Sequence, residues 1–185
     1  MKLIFFFLFL ISQILGQNKI YESKDVIISY ENPNLETIVF WGGIGYATPQ
    51  WLESKIEKKY FKKYNIILVS YNIELEFIKK IFLEKTSQEL KPEIILGFSR
   101  GGLLAQQYHT KDYKIVGLID PVLNFKKKFA YCQNIIFVFN SHTWNREYNK
   151  TLMYFGKTIA RQKGVWRIEY LDHVDFPKFF FKEFL

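Results

Sequence analysis

A single cysteine, Cys132, stands in a chain of 185 residues. No disulfide can form within the chain, so packing and hydrogen bonding must hold the fold together. Histidine is scarce as well. His109, His142 and His173 are the only three, and with Cys132 they match no zinc-binding spacing. Neither a metal nor an organic cofactor is expected. Long apolar runs are also rare: the longest, Leu3 to Leu15, is interrupted by Ser12 and Gln13. It falls short of the roughly 20 residues that cross a bilayer core. With no internal repeat and no low-complexity linker, one domain is the simplest parse.

What is present points to a folded, exported protein. Hydrophobic residues make up 49% of the chain and Phe alone numbers 19, which excludes a disordered polymer. The opening MKLIFFFLFLISQILGQ sets one charge, Lys2, before the apolar stretch, with small Gly16 as the candidate cleavage edge. That is the pattern of a secretory signal. Residues 1–16 are therefore read as a leader and 17–185 as the domain, with localisation outside the cell or in the lumen of the secretory pathway. Asn149, Lys150 and Thr151 form an N-x-T sequon, a glycosylation acceptor in a eukaryotic secretory route. Cys132 reads as a small hydrophobe beside the strand that begins near Ile135.

The formal charge is +8, with positive clusters in KIEKKYFKKY (Lys55 to Tyr64) and FKKKF (Phe125 to Phe129). Glu57 and the apolar Ile56, Tyr60 and Phe61 interleave with the first cluster, as on the solvated side of an amphipathic helix. No DNA- or RNA-binding motif accompanies the charge, so a nucleic-acid partner is not expected.

Short runs rich in Ile, Val and Phe recur along the chain: DVIISY (25–30), TIVFW (37–41), NIILVS (65–70), EIILGF (93–98), KIVGLI (114–119), NIIFVF (134–139) and VWRIEYL (165–171). These are predicted strands. Helices are predicted between them at Pro49 to Tyr64, Glu74 to Leu83, Arg100 to His109 and Thr151 to Lys163. Pro49 suits a first turn and Gly164 a stop. Strands apolar nearly throughout need cover on both faces, and the alternating helices supply it. The fold class is α/β: one mostly parallel sheet flanked by helices.

In such sheets ligands bind beyond the carboxyl ends of the strands. Several polar residues leave strands on that edge. Gly42 and Gly43 follow TIVFW, Ser99 follows EIILGF, Asp120 follows KIVGLI, Asn140 and His142 follow NIIFVF, and Asp172 and His173 follow VWRIEYL. Gly97 and Gly101 flank Ser99 at G-x-S-x-G spacing, between a predicted strand and a predicted helix. That turn lifts a serine hydroxyl clear of the backbone. A serine hydroxyl needs a base within reach and an acid to orient the base. The chain order Ser99, Asp120, His173 meets that requirement in the order given for α/β-hydrolases. His142 is the rival base or a substrate contact, and His109, at a helix end, reads as structural.

With GFSRGG as the elbow, LIDPV after the next strand and LDHVDF near the C-terminus, the mature chain resembles a small α/β-hydrolase over essentially its whole length. The S-R-G-G and I-D-P-V pairing is similar to the chlorophyllase and lipase-like esterase branches. The resemblance implies a serine hydrolase, with Ser99 as nucleophile, Asp120 as acid and His173 as base. It also implies an oxyanion hole from the backbone amides of Arg100 and of Gly43 or Ile44. Trp41 and Phe98 stand where many relatives carry histidine. The chain is short for the fold and leaves no room for a large lid, which suits small acyl esters or lipids as substrates. No obligate protein partner is implied. The aromatic tail FPKFFFKEFL is expected to pack on the sheet as a final helix, with peripheral contact to a lipid surface as the alternative.

Overall fold

Every residue of Thr37–Trp41 is buried, and alternate side chains enter different cores: Ile38 and Phe40 on one side of the sheet, Val39 and Trp41 on the other. A strand repeats every two residues, so a run apolar at each position must be covered on both faces. The computed structural model describes residues 18–110, 112–124, 135–139, 165–167 and 171–185. The predicted leader, Cys132, the FKKKF cluster, Asn140, His142, the Asn149 sequon and the predicted helix Thr151 to Lys163 with Gly164 lie outside the described residues.

Among the described residues the strands are β1 (Lys19–Glu22), β2 (Val26–Ser29), β3 (Thr37–Trp41), β4 (Asn65–Val69), β5 (Ile94–Phe98), β6 (Ile115–Ile119), β7 (Ile135–Phe139) and β8 (Val165–Arg167). They form one sheet in the order β1, β2, β4, β3, β5, β6, β7, β8. Strand β2 runs antiparallel to β1 and β4, and every pairing from β4 onward is parallel. The predicted mostly parallel α/β sheet is what the chain forms. Strand β1 was not anticipated. Its sequence, KIYE, is half polar, and it exists as an edge strand through its pairing with β2.

The helices are α1 (Pro49–Lys55), α2 (Lys58–Lys63), α3 (Leu75–Thr86), α4 (Gly102–Tyr108) and α5 (Phe176–Phe184). Helix α1 begins as its sequence suggests: Pro49 occupies the first turn and the Thr48 hydroxyl accepts from the Trp51 amide at 3.3 Å. The single helix expected from Pro49 to Tyr64 is instead two. Ile56 takes an extended conformation (φ −100°, ψ 123°) and is buried against the sheet, so the chain breaks there without a glycine or proline to announce it. Helix α3 runs past Leu83 to Thr86 and stops at Ser87, whose left-handed backbone (φ 59°) closes the last turn.

Helices α1, α2 and α5 cover one face of the sheet, and α3 and α4 cover the other. The aromatic tail is helix α5. Phe176, Phe180 and Phe181 are buried, and a side chain at Gly117 on β6 would meet Leu96 and the Phe180 ring within 2.6 Å. Each such ring contributes about 2–3 kcal/mol of burial. Those three phenylalanines are therefore committed to the core. No helix among the described residues is long and apolar enough to cross a membrane.

Candidate active site

Strand β5 ends at Phe98, and the chain turns at once into a 3₁₀ turn, Ser99–Gly101, that leads into α4. Ser99 sits at φ 51°, a region that L-residues other than Asn and Asp seldom occupy. The glycines around it have a steric reason. A Cβ at Gly97 would come within 2.5 Å of the Gly101 carbonyl oxygen, and one at Gly101 would collide with the carbonyls of Trp41 and Gly42. The GFSRGG stretch is thus a sharp strand-to-helix turn wedged against the exit of β3, and Ser99 is its strained member.

The exit of β3 supplies the next wall. A Cβ on Gly43 would stand 2.9 Å from the Ser99 Cβ and 3.2 Å from its Oγ, so only glycine lets this backbone approach the hydroxyl so closely. Gly45, at φ 74°, turns the loop back and leaves Ile44 and Tyr46 about half exposed. The Gly42 amide is held by the Val69 carbonyl at 2.8 Å, which ties the loop to the end of β4. Arg100 extends toward that same end, its guanidinium 5.7 Å from the Tyr71 ring centroid.

Asp120 leaves β6 with its own left-handed backbone (φ 38°) and a fully buried side chain. Its amide donates to the Val138 carbonyl at 2.7 Å, and two residues on the Val122 amide donates to the Ser99 carbonyl at 2.7 Å. The acid's loop is therefore bonded directly to the elbow. His173 opens a 3₁₀ turn, His173–Asp175, just before α5. Its Nδ1 lies 2.5 Å from Asp120 Oδ2, and its side chain is 17% exposed. With Nδ1–H donated to the carboxylate, Nε2 is the basic nitrogen of the neutral ring.

The structure thus brings Asp120 and His173 into contact, and sets Gly43 and the Asp120 loop against Ser99. Among the described residues no hydrogen bond joins the Ser99 hydroxyl to His173. Hydrogen bonds of this type are often long until substrate binds. His109 ends α4, with Nδ1 bonded to the Gln106 carbonyl. No group of three or more metal-ligating side chains occurs among the described residues.

Three residues next to this constellation were not singled out from sequence as parts of it. The Phe98 ring is stacked on the His173 imidazole, with centroids 4.5 Å apart and planes at 30°. On Phe98 in turn lies Trp51 of α1, at 5.5 Å and 20°. Tyr46 closes the series edge-on to Trp51 at 5.2 Å. Burial, and then the negative charge of Asp120, hold the Tyr46 phenol above its ordinary pKa. Only the apolar run of β5 hinted that Phe98 is buried. Nothing local linked it to His173.

No protein-family model matches the chain, and no curated protein matches it. Solved structures do match. A protein of Lactobacillus plantarum WCFS1, designated by inference a carboxylesterase, is 12% identical with a TM-score of 0.53, and the match covers 88% of each chain. A protein of Thermoplasma acidophilum, designated by inference a CIB-like hydrolase, is 16% identical with a TM-score of 0.57 over 85% of this chain and 87% of that one. The chain accordingly has the α/β architecture of the hydrolase fold, as the sequence resemblance implied. At these identities the likeness speaks for the fold, and fold does not fix chemistry.

Proposed function

We propose that the protein is a serine hydrolase of carboxylic esters. The observation that carries this reading is the buried Asp120 carboxylate paired with His173 Nδ1 on the sheet edge where Ser99 rises from its strained turn. A solvent-shielded carboxylate holding one imidazole nitrogen leaves the other as a base, which is what an unactivated hydroxyl requires. In this mechanism His173 Nε2 takes the Ser99 proton as Oγ attacks the ester carbonyl. The oxyanion is met by the backbone amide of Arg100 and that of Gly43 or Ile44. His173 returns the proton to the leaving alcohol, and water then clears the acyl-enzyme by the reverse sequence. Both solved neighbours carry hydrolase designations, which supports the same reaction class.

The substrate proposed is a small acyl ester or a lipid ester. Ile44 and Tyr46, exposed on the loop beside Ser99, offer apolar contact to an acyl chain. The same constellation would serve a thioesterase or an acyltransferase. Export through the leader at 1–16 is part of the proposal, and N-terminal sequencing of the mature protein from its host would test it. To test the activity, p-nitrophenyl esters of graded acyl length are assayed with wild type and with Ser99→Ala, Asp120→Asn and His173→Gln. Hydrolysis lost in all three folded variants supports the reading. Hydrolysis unaffected by them sinks it and leaves a binding protein that shares the fold.

A further inference from the structure

A hydrogen bond from one ring nitrogen acts as a hinge. The Asp120–His173 contact fixes one edge of the imidazole, and a single bond along the Nδ1···Oδ2 line does not by itself set the plane of the ring. His173 is also carried by a short 3₁₀ turn and not by the interior of a helix or strand. The plane of the ring must also be set if Nε2 is to meet Ser99.

We infer that Phe98, backed by Trp51, is a positioning residue that sets the plane of the His173 imidazole. The inference rests on the hydrolase reading above. Phe98 is fully buried and immediately precedes Ser99, so the surface on which the imidazole lies is part of the nucleophile elbow itself. Trp51 packs on the far side of Phe98, and its backbone amide donates to the Thr48 hydroxyl at the start of α1. Two roughly parallel rings therefore stack behind the imidazole, with nearly the same tilt from one to the next (20° and 30°). When His173 takes the serine proton it becomes a cation over an aromatic face, an arrangement that the ring's charge distribution favours. The stack thus orients the base before reaction and favours its charged form during it.

The test compares wild type, Phe98→Leu, Phe98→Tyr and Trp51→Leu by two readouts. The first is kcat and KM on p-nitrophenyl butyrate. The second is the proton chemical shift of the His173 ring, identified by its loss in His173→Gln, because a proton over an aromatic face is shifted upfield. Phe98→Leu is expected to lose about 10²-fold in kcat, the scale of a small misplacement of a reacting group, with KM within about twofold. The His173 resonance should move downfield. Phe98→Tyr keeps the ring and should restore kcat to within about tenfold of wild type with the upfield shift retained. Trp51→Leu removes only the outer ring, so it provides an intermediate loss even if Phe98→Leu fails to fold.

An unchanged His173 resonance in folded Phe98→Leu or Trp51→Leu would overturn the inference. So would equal kcat losses in Phe98→Leu and Phe98→Tyr, because the effect would then follow core volume and not the ring. If wild type hydrolyses no ester and Ser99 takes no active-site label, the hydrolase reading falls. The resonance in Trp51→Leu, which keeps the Phe98 ring, would still decide whether the stack orients His173.

Discussion

Two serines among the described residues hold the same unusual backbone. Ser87 (φ 59°) and Ser99 (φ 51°) both lie in the left-handed region. Ser87 ends helix α3 at the exposed surface, and its amide simply closes the last turn on the Leu83 carbonyl at 2.8 Å. Ser99 stands between a strand and a helix, walled by Gly97, Gly101 and Gly43, none of which could carry a side chain without collision. A left-handed serine is therefore not by itself a functional sign. What separates the two is whether the surrounding backbone has been cleared to let other groups approach the hydroxyl.

The sharpest way to break that contrast is to remove both hydroxyls in turn. Ser99→Ala is expected to cut kcat on a p-nitrophenyl ester by about 10⁴-fold or more while the melting temperature holds. Ser87→Ala should leave kcat unchanged. Ser87→Gly should stabilise the fold by about 0.5–1 kcal/mol, because glycine removes the Cβ penalty at that site. Urea denaturation would read that difference.

Asp120→Asn tests whether the partner of His173 matters as the contact implies. A neutral amide cannot hold the Nδ1–H tautomer as a carboxylate does, and a loss of up to about 10⁴-fold in kcat is expected with the fold retained. Activity within a few-fold of wild type would show that this buried pair is structural only.

A smaller effect is expected from the two loop glycines. Gly43→Ala places a methyl 2.9 Å from the Ser99 Cβ and should reduce kcat by about 10²-fold. Gly45 has open space around its Cβ position but a φ of 74°. Gly45→Ala should therefore cost about 1–2 kcal/mol of stability and little kcat. Kinetics and thermal unfolding of the two variants together would separate crowding of the site from backbone strain.

The smallest expected effect is spectroscopic. Asp120 charge is the second cause, after burial, of the raised Tyr46 pKa. Asp120→Asn should therefore let Tyr46 ionise at lower pH, followed by phenolate absorbance against a Tyr46→Phe control. The sign for stability follows from the same shift. The contribution is full below the ordinary phenol value and is lost as the pH rises through the raised one.

Much of this was legible in the residues, for reasons that differ from element to element. TIVFW after its first residue and IILGF carry no polar side chain, and a strand covered on both faces uses such a run, so β3 and β5 could be placed to within a residue. The exits of those strands and of β6 then gave Gly43, Ser99 and Asp120 a common edge. The break at Ile56 could not be read, because it comes from a side chain drawn into the core and not from a local signal. Strand β1 was missed because edge pairing, not an apolar run, makes it a strand. The contact of Phe98 with His173 joins residues far apart in sequence, and no spacing rule reaches it. Both loops that embrace Ser99 owe their closeness to glycines whose need is visible only when the neighbouring carbonyls are in place.

The measurement that tests the central claim most directly is active-site labelling. The folded protein is treated with a fluorophosphonate, and the adduct is located by peptide mass. A single adduct on Ser99, absent from Ser99→Ala and lost or greatly slowed in His173→Gln, is the predicted result. No adduct on folded wild-type protein, or an adduct whose rate ignores His173, would contradict an activated Ser99.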